Sequence, residues 1–154
     1  MFVVLLLTPL TESSGTLDTD ILHLLQQTAL HFRQQQSQAF LVGGSVRNLL
    51  LGESCVDWDI VTDGDAPRLA RKLANTLGGS FAHMNEKASR VTVKHEPHDV
   101  VLDIAPQRGD SIEADLSERD FTLNAIAIPL DGLVQALESG TALPLLDPLG
   151  GAAD

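Results

Sequence analysis

Residues 41–61 read LVGGSVRNLLLGESCVDWDIV, a Gly-Gly-Ser turn with eleven residues between Ser45 and an Asp57-Trp58-Asp59-Ile60 run. The apolar stretch 39–42 predicts a short buried strand, and helical spacing predicts a helix over 45–51, so Gly43 and Gly44 fall where a strand breaks into a helix. Backbone N–H groups left without intrahelical partners at such a junction point toward an anion. A glycine there lets phosphate oxygens approach the backbone, and Arg47, one turn beyond Gly44, brings a planar fork of donors to the same anion. In the following strand, period-2 alternation sends Asp57 and Asp59 to one face and Trp58 and Ile60 to the other. Two like charges side by side in a sheet repel one another unless a cation lies between them.

Working outward, residues 100–105 read VVLDIA, a buried strand with Asp103 between Leu102 and Ile104. A carboxylate in such surroundings is costly unless paired or coordinated. Asp57, Asp59 and Asp103 are therefore the candidate catalytic and metal-binding residues. Their hard oxygen donors suit Mg2+ in a two-metal phosphoryl-transfer site, one ion activating an attacking hydroxyl and the other holding a triphosphate.

This pattern resembles the nucleotidyltransferase superfamily that includes DNA polymerase beta, marked by a Gly-Gly or Gly-Ser turn followed by Asp-x-Asp. Residues 118–127, ERDFTLNAIA, narrow the resemblance to bacterial-type (class II) tRNA CCA-adding enzymes and bacterial poly(A) polymerases. Residues 43–59 follow the first motif of that family, GGxVRDxLLGxxxxDxD, except at Asn48, where Asp is usual. Glu118 replaces the first Arg of the second motif, and residues 146–154 are similar to the segment that closes the catalytic head. The resemblance covers about 39–154 and leaves 1–38 as an N-terminal arm and helix.

The resemblance implies an α/β (α+β) head domain with a mixed sheet and flanking helices. It also implies template-independent addition of AMP or CMP to an RNA 3′ end, with ATP or CTP as substrate, tRNA or another RNA as acceptor, Mg2+ as cofactor and pyrophosphate released. Asp57, Asp59 and Asp103 are its catalytic and metal positions. Gly43, Gly44, Ser45 and Arg47 are on the triphosphate side, Arg119 and Asp120 hold the nucleotide and its ribose, and Asn124 belongs to the same motif. The neck, body and tail that carry most tRNA contacts in the family are absent from these 154 residues, as is a Glu-Asp-x-x-Arg run for base pairing.

Other motifs have plainer explanations. In His95-Glu96-Pro97-His98, proline forbids the continuous helix of a zinc motif and the spacing is one residue short, so a hairpin turn is expected. Cys55 has no partner cysteine in the chain, which leaves a buried or incidental thiol and fits a reducing, cytoplasmic setting. Arg71 and Lys72 sit among Leu69, Leu73 and Leu77 at helical spacing and predict a solvated helix face.

With 154 residues, 44% of them hydrophobic, the chain is long enough for one domain with its own core. The opening MFVVLLLTPL lacks a basic region and a cleavage site and is too short to span a bilayer, so a strand or ordered arm is expected and no membrane partner. Ten Lys and Arg against 21 Asp and Glu, a formal net charge of −11, make this head by itself a poor polyanion binder.

The expected order is helix 20–35, strand 39–42, helix 45–51, strand 57–62, helix 66–77 stopped by Gly78-Gly79, strands 80–84, 89–95 and 98–105, a mobile loop 106–113, and helix 118–124. Two rivals to RNA nucleotide addition stay open on the residues alone: a small nucleotidyltransferase with a non-RNA acceptor, and an RNA-associated scaffold without turnover.

Overall fold

The computed structural model describes residues 2–5, 19–51, 56–119 and 125–147, the first segment in its backbone only. Its elements in chain order are β1 (Phe2–Leu5), α1 (Thr19–Gln34), β2 (Ala39–Val42), α2 (Gly44–Leu50), β3 (Asp57–Thr62), α3 (Ala66–Leu77), β4 (Ser80–His83), β5 (Ser89–Val93), β6 (Val100–Pro106), α4 (Ile112–Ser117), β7 (Ala127–Pro129), α5 (Leu130–Ser139) and β8 (Leu143–Leu146). The strands form one sheet in the order β1-β8-β7-β2-β3-β6-β5-β4. Only β3 and β6 pair in parallel; every other neighbouring pair is antiparallel. The mixed sheet with flanking helices expected from the sequence is thus the fold. The N-terminal apolar run contributes the edge strand β1, and residues 94–99 connect the hairpin of β5 and β6.

Alternation along each strand divides the core. Leu41, Trp58, Ile60, Val91, Leu102 and Ile104 pack with side chains of α1, α2, α3 and α5. Phe40, Val42, Val61, Ala127 and Leu146 turn the other way and pack with Ile112 and Leu116 of α4. Trp58 and Leu102 are fully buried. Asp57, Asp59 and Asp103 share the α4 face by strand parity, and α4 is a short helix that leaves part of that face open.

Helix α3 shows how local sequence sets an element. The Asp65 carboxylate accepts from the N–H of Arg68, Pro67 stands in the first turn, and Gly78 ends the helix in the left-handed region at φ 69°, an N-cap, proline and glycine arrangement that satisfies free backbone groups at both ends. Arg71 and Lys72 are both exposed on this helix; the Arg71 guanidinium lies 4.4 Å from the centre of the Phe81 ring, so that part of the solvated face covers an aromatic side chain. No helix among the described residues is long and apolar enough to cross a membrane.

The segment after β6 differs from expectation. In place of a mobile loop over 106–113, β6 runs to Pro106 and α4 begins at Ile112, with the Ser111 hydroxyl accepting from the N–H of Ala114 as N-cap. The connection is tied at two points, by Gln107 N–H to Thr62 O at 2.9 Å and Arg108 N–H to the Asp115 carboxylate at 2.6 Å. The helix expected over 118–124 has no counterpart at its start, because Glu118 is already the C-cap of α4; residues 120–124 lie outside the described residues. Elements β7, α5 and β8 were not anticipated. Leu130, Leu133, Val134 and Leu137, followed by Gly140 at φ 64°, carry the helical spacing and stop that mark α5.

The division into two faces makes a direct prediction. Leu102→Ala should cost about 2–5 kcal/mol in urea denaturation, the range for removing a fully buried leucine. Val101→Ala, one residue away on the half-open face, should cost well under half as much; similar losses at both positions would mean that β6 is misregistered.

Candidate active site

Strand register brings the acids together. In the parallel pair, Asp59 lies opposite Asp103 and Asp57 opposite Val101, while Val42 at the end of β2 lies opposite Asp59 from the other side. The glycine turn follows Val42 at once, so the cradle and the acids share one end of β2. Gly43 adopts φ 67° and ψ −139°, a combination open essentially to glycine. A Cβ placed on it would lie 3.5 Å from Asp59 Oδ2, and one on Gly44 would lie 3.5 Å from Arg47 Nη2. The Arg47 guanidinium is therefore folded back over the turn, on the same side as the anion site read from the sequence.

Ser45 has work inside the fold. Its buried hydroxyl donates to Val42 O and accepts from the N–H of Asp59, both at 3.0 Å. These two bonds brace the turn against β3 and fix where the Asp59 backbone stands.

Asp59 is a perturbed acid. Burial raises its pKa above the ordinary carboxylate value, the charges of Asp103 and then Asp57 raise it further, and Arg119 and Arg90 pull the other way. An all-oxygen donor set whose charges repel one another fits a hard divalent cation. Asp57 and Asp59 suit that role; Asp103, expected from the sequence as the third carboxylate, stands in an ion pair. Its two oxygens accept from Arg90 Nε and Nη2 at 2.8 and 3.0 Å, from the neighbouring position on β5. Among the described residues no group of three or more acidic, histidine or cysteine side chains gathers closely enough to hold a metal ion.

Arg119 is held as firmly. Its Nε and Nη2 donate to Asp115 Oδ1 at 2.9 and 2.8 Å, and the Asp115 side chain is 1% exposed. With the Arg108 N–H on its other oxygen, Asp115 both closes the β6–α4 connection and anchors the arginine whose charge acts on Asp59. Neither Arg90 nor Asp115 was singled out from the sequence. The signal for Asp115 was its place four residues before Arg119, a spacing that brings side chains together at a helix end; that for Arg90 was a lone cation in a strand next to an acid-bearing one. Asp120, Asn124 and Cys55, all named from the sequence, lie outside the described residues. A cavity of about 400 Å³, lined in part by Phe32, Arg33, Gln38 and Asp131, opens near Ala39 at the other end of β2 and includes none of these acids.

The family model described as the Poly A polymerase head domain matches residues 39–154. The chain belongs to this family. A CC-adding tRNA nucleotidyltransferase of Geobacter sulfurreducens is 40% identical over 116 residues, covering 75% of this chain and 25% of that protein. An A-adding tRNA nucleotidyltransferase of Halalkalibacterium halodurans is 36% identical over 129 residues, covering 75% of this chain and 30% of that one. In structure, the Thermotoga maritima CCA-adding enzyme complexed with tRNA superposes on 99% of this chain and 34% of its own, with a TM-score of 0.76 and 31% identity. This poly(A) polymerase head domain thus spans about a quarter to a third of the length of the relatives it matches.

The raised pKa of Asp59 has a sign that can be measured. Below pH 4 the group is protonated in the folded and unfolded chain alike and contributes nothing; above the unfolded value of about 3.9, the folded state resists ionisation and stability is lost until the folded pKa is passed. Metal-free Asp59→Asn should therefore be more stable than the parent at pH 7, with the difference vanishing near pH 3.5. Denaturation at the two pH values checks this, and a variant less stable at pH 7 would show that Asp59 is held by favourable contacts instead.

Proposed function

We propose that this domain is the catalytic head of a template-independent RNA nucleotidyltransferase that adds AMP, CMP or both to an RNA 3′ end, tRNA being the favoured acceptor. The observation that carries this is the placement of Asp57 and Asp59 on one face of β3, beside the Gly43-Gly44 turn and next to Asp103, in a poly(A) polymerase head domain. Nucleotidyltransferases generally depend on a divalent metal, and we assign Mg2+ to Asp57 and Asp59, where it would neutralise phosphate charge and favour the ionised hydroxyl.

The chain's own groups then divide the work. Gly43, Gly44 and Arg47 bind the triphosphate, with the Ser45 hydroxyl bracing the turn from beneath. Arg119, oriented by Asp115, binds the nucleotide, with Asp120 and Asn124 assigned to the same region from the sequence motif. The RNA 3′ oxygen attacks the α-phosphorus, the bond from that phosphorus to the β-bridging oxygen breaks, and pyrophosphate leaves. The hydroxyl proton is assigned to Asp103, the acid supplied by β6. With a net charge of −11, the head makes a small contribution to holding RNA.

Every assigned contact is to phosphate or ribose, parts common to all four ribonucleotides. Calorimetric titration in Mg2+ should give affinities for ATP, CTP, GTP and UTP within about tenfold, or ~1.4 kcal/mol. Combining Asp57→Asn with Asp59→Asn should weaken all four at least tenfold while the fold is kept. Undiminished nucleotide binding in that variant would overturn the assignment of the site.

A further inference from the structure

The β5–β6 register places Arg90 directly opposite Asp103, and the guanidinium closes on both carboxylate oxygens. The two side chains are 39% and 29% exposed, so the pair sits at the open face beside the acids and not inside the core. A planar fork of this kind takes one lone pair on each carboxylate oxygen and offsets the negative charge that would draw a cation. A divalent ion drawing Asp103 into its coordination would also face the guanidinium charge at close range, and the hard-oxygen geometry that Mg2+ demands leaves little room for sharing.

We propose that Arg90 is a latch on the third carboxylate: it and the metal compete for Asp103, so that the cation is held by Asp57 and Asp59 until Arg90 lets go. Arg90 is on this account a positioning residue, acting through Asp103 and not touching the reacting atoms. The inference rests on the assignment of the metal to Asp57 and Asp59, and goes beyond it by naming what keeps Asp103 out of the coordination sphere. It also accounts for the absence of a three-acid cluster among the described residues. The competition predicts a metal affinity lower than three neighbouring carboxylates would otherwise give.

Mn2+ binding followed by electron paramagnetic resonance tests this without any turnover. Arg90→Ala should bind Mn2+ roughly two- to fivefold more tightly than the parent, the scale of one partly exposed, well-aligned ion pair. Arg90→Met, which keeps the aliphatic stem over the strand, should give the same gain. In an Asp103→Asn background the gain should disappear, since no carboxylate remains to be released. Unchanged or weaker binding in both Arg90 variants would overturn the latch, as would a gain that persists fully with Asp103→Asn, because only a general charge effect survives that change. Asp57→Asn with Asp59→Asn separates the two levels. If that variant keeps the tight Mn2+ site, the metal assignment itself falls; if it loses the site while Arg90→Ala has no effect, only the latch does.

Discussion

Asp59 and Asp103 are neighbours because β3 and β6 run parallel, the one such pairing in an otherwise antiparallel sheet. A parallel pair needs a long crossover, and here α3, β4 and β5 supply it. The crossover has a second effect, since β5 returns alongside β6 and delivers Arg90 to Asp103. Burial raises the pKa of Asp59, and this pairing adds the charge of Asp103 to that effect and creates the need for positive charge on the α4 face. The helix face of the sheet is closed by apolar side chains throughout, which leaves the charged groups only one side on which to meet.

Two cations answer the acids and a third stands at the neighbouring turn, each fixed differently. Arg90 meets Asp103 by strand register. Arg119 is held at a distance through the buried carboxylate of Asp115, which keeps its charge near Asp59 without a direct bond to that acid. Arg47 lies over the glycine turn. A buried ion pair such as Asp115–Arg119 is poor evidence for stability, because desolvation offsets much of the attraction. It does set the direction of a guanidinium, and a site that must bind phosphate oxygens gains more from orientation than from stability.

Much of this was legible in the chain. The alternation Asp57-Trp58-Asp59-Ile60 fixed which side chains share a face, and Gly43 signalled a backbone that other residues resist. The Gly78 stop marked the C-terminal end of α3. What could not be read was pairing across the sheet. That Asp103 stands beside Asp59 depends on strand order, which joins segments far apart in sequence, and that it stands opposite Arg90 depends on the register within the β5–β6 hairpin. The same holds for the Ser45 hydroxyl, whose bond to Asp59 joins α2 to β3. The connection after Pro106 was misjudged because its polar composition resembles a free loop, whereas a carboxylate within the following helix ties it down.

The proposed divalent cation sits between the acids of β3 and not elsewhere on a strongly acidic surface. Paramagnetic broadening by sub-stoichiometric Mn2+ in a nitrogen–proton correlation spectrum locates the ion by residue. The amides of Val42, Gly43, Asp57, Trp58 and Asp59 should broaden first, ahead of those near Asp110, Glu113 and Glu138. Broadening centred on those outer acids, or spread evenly over the surface, would contradict it.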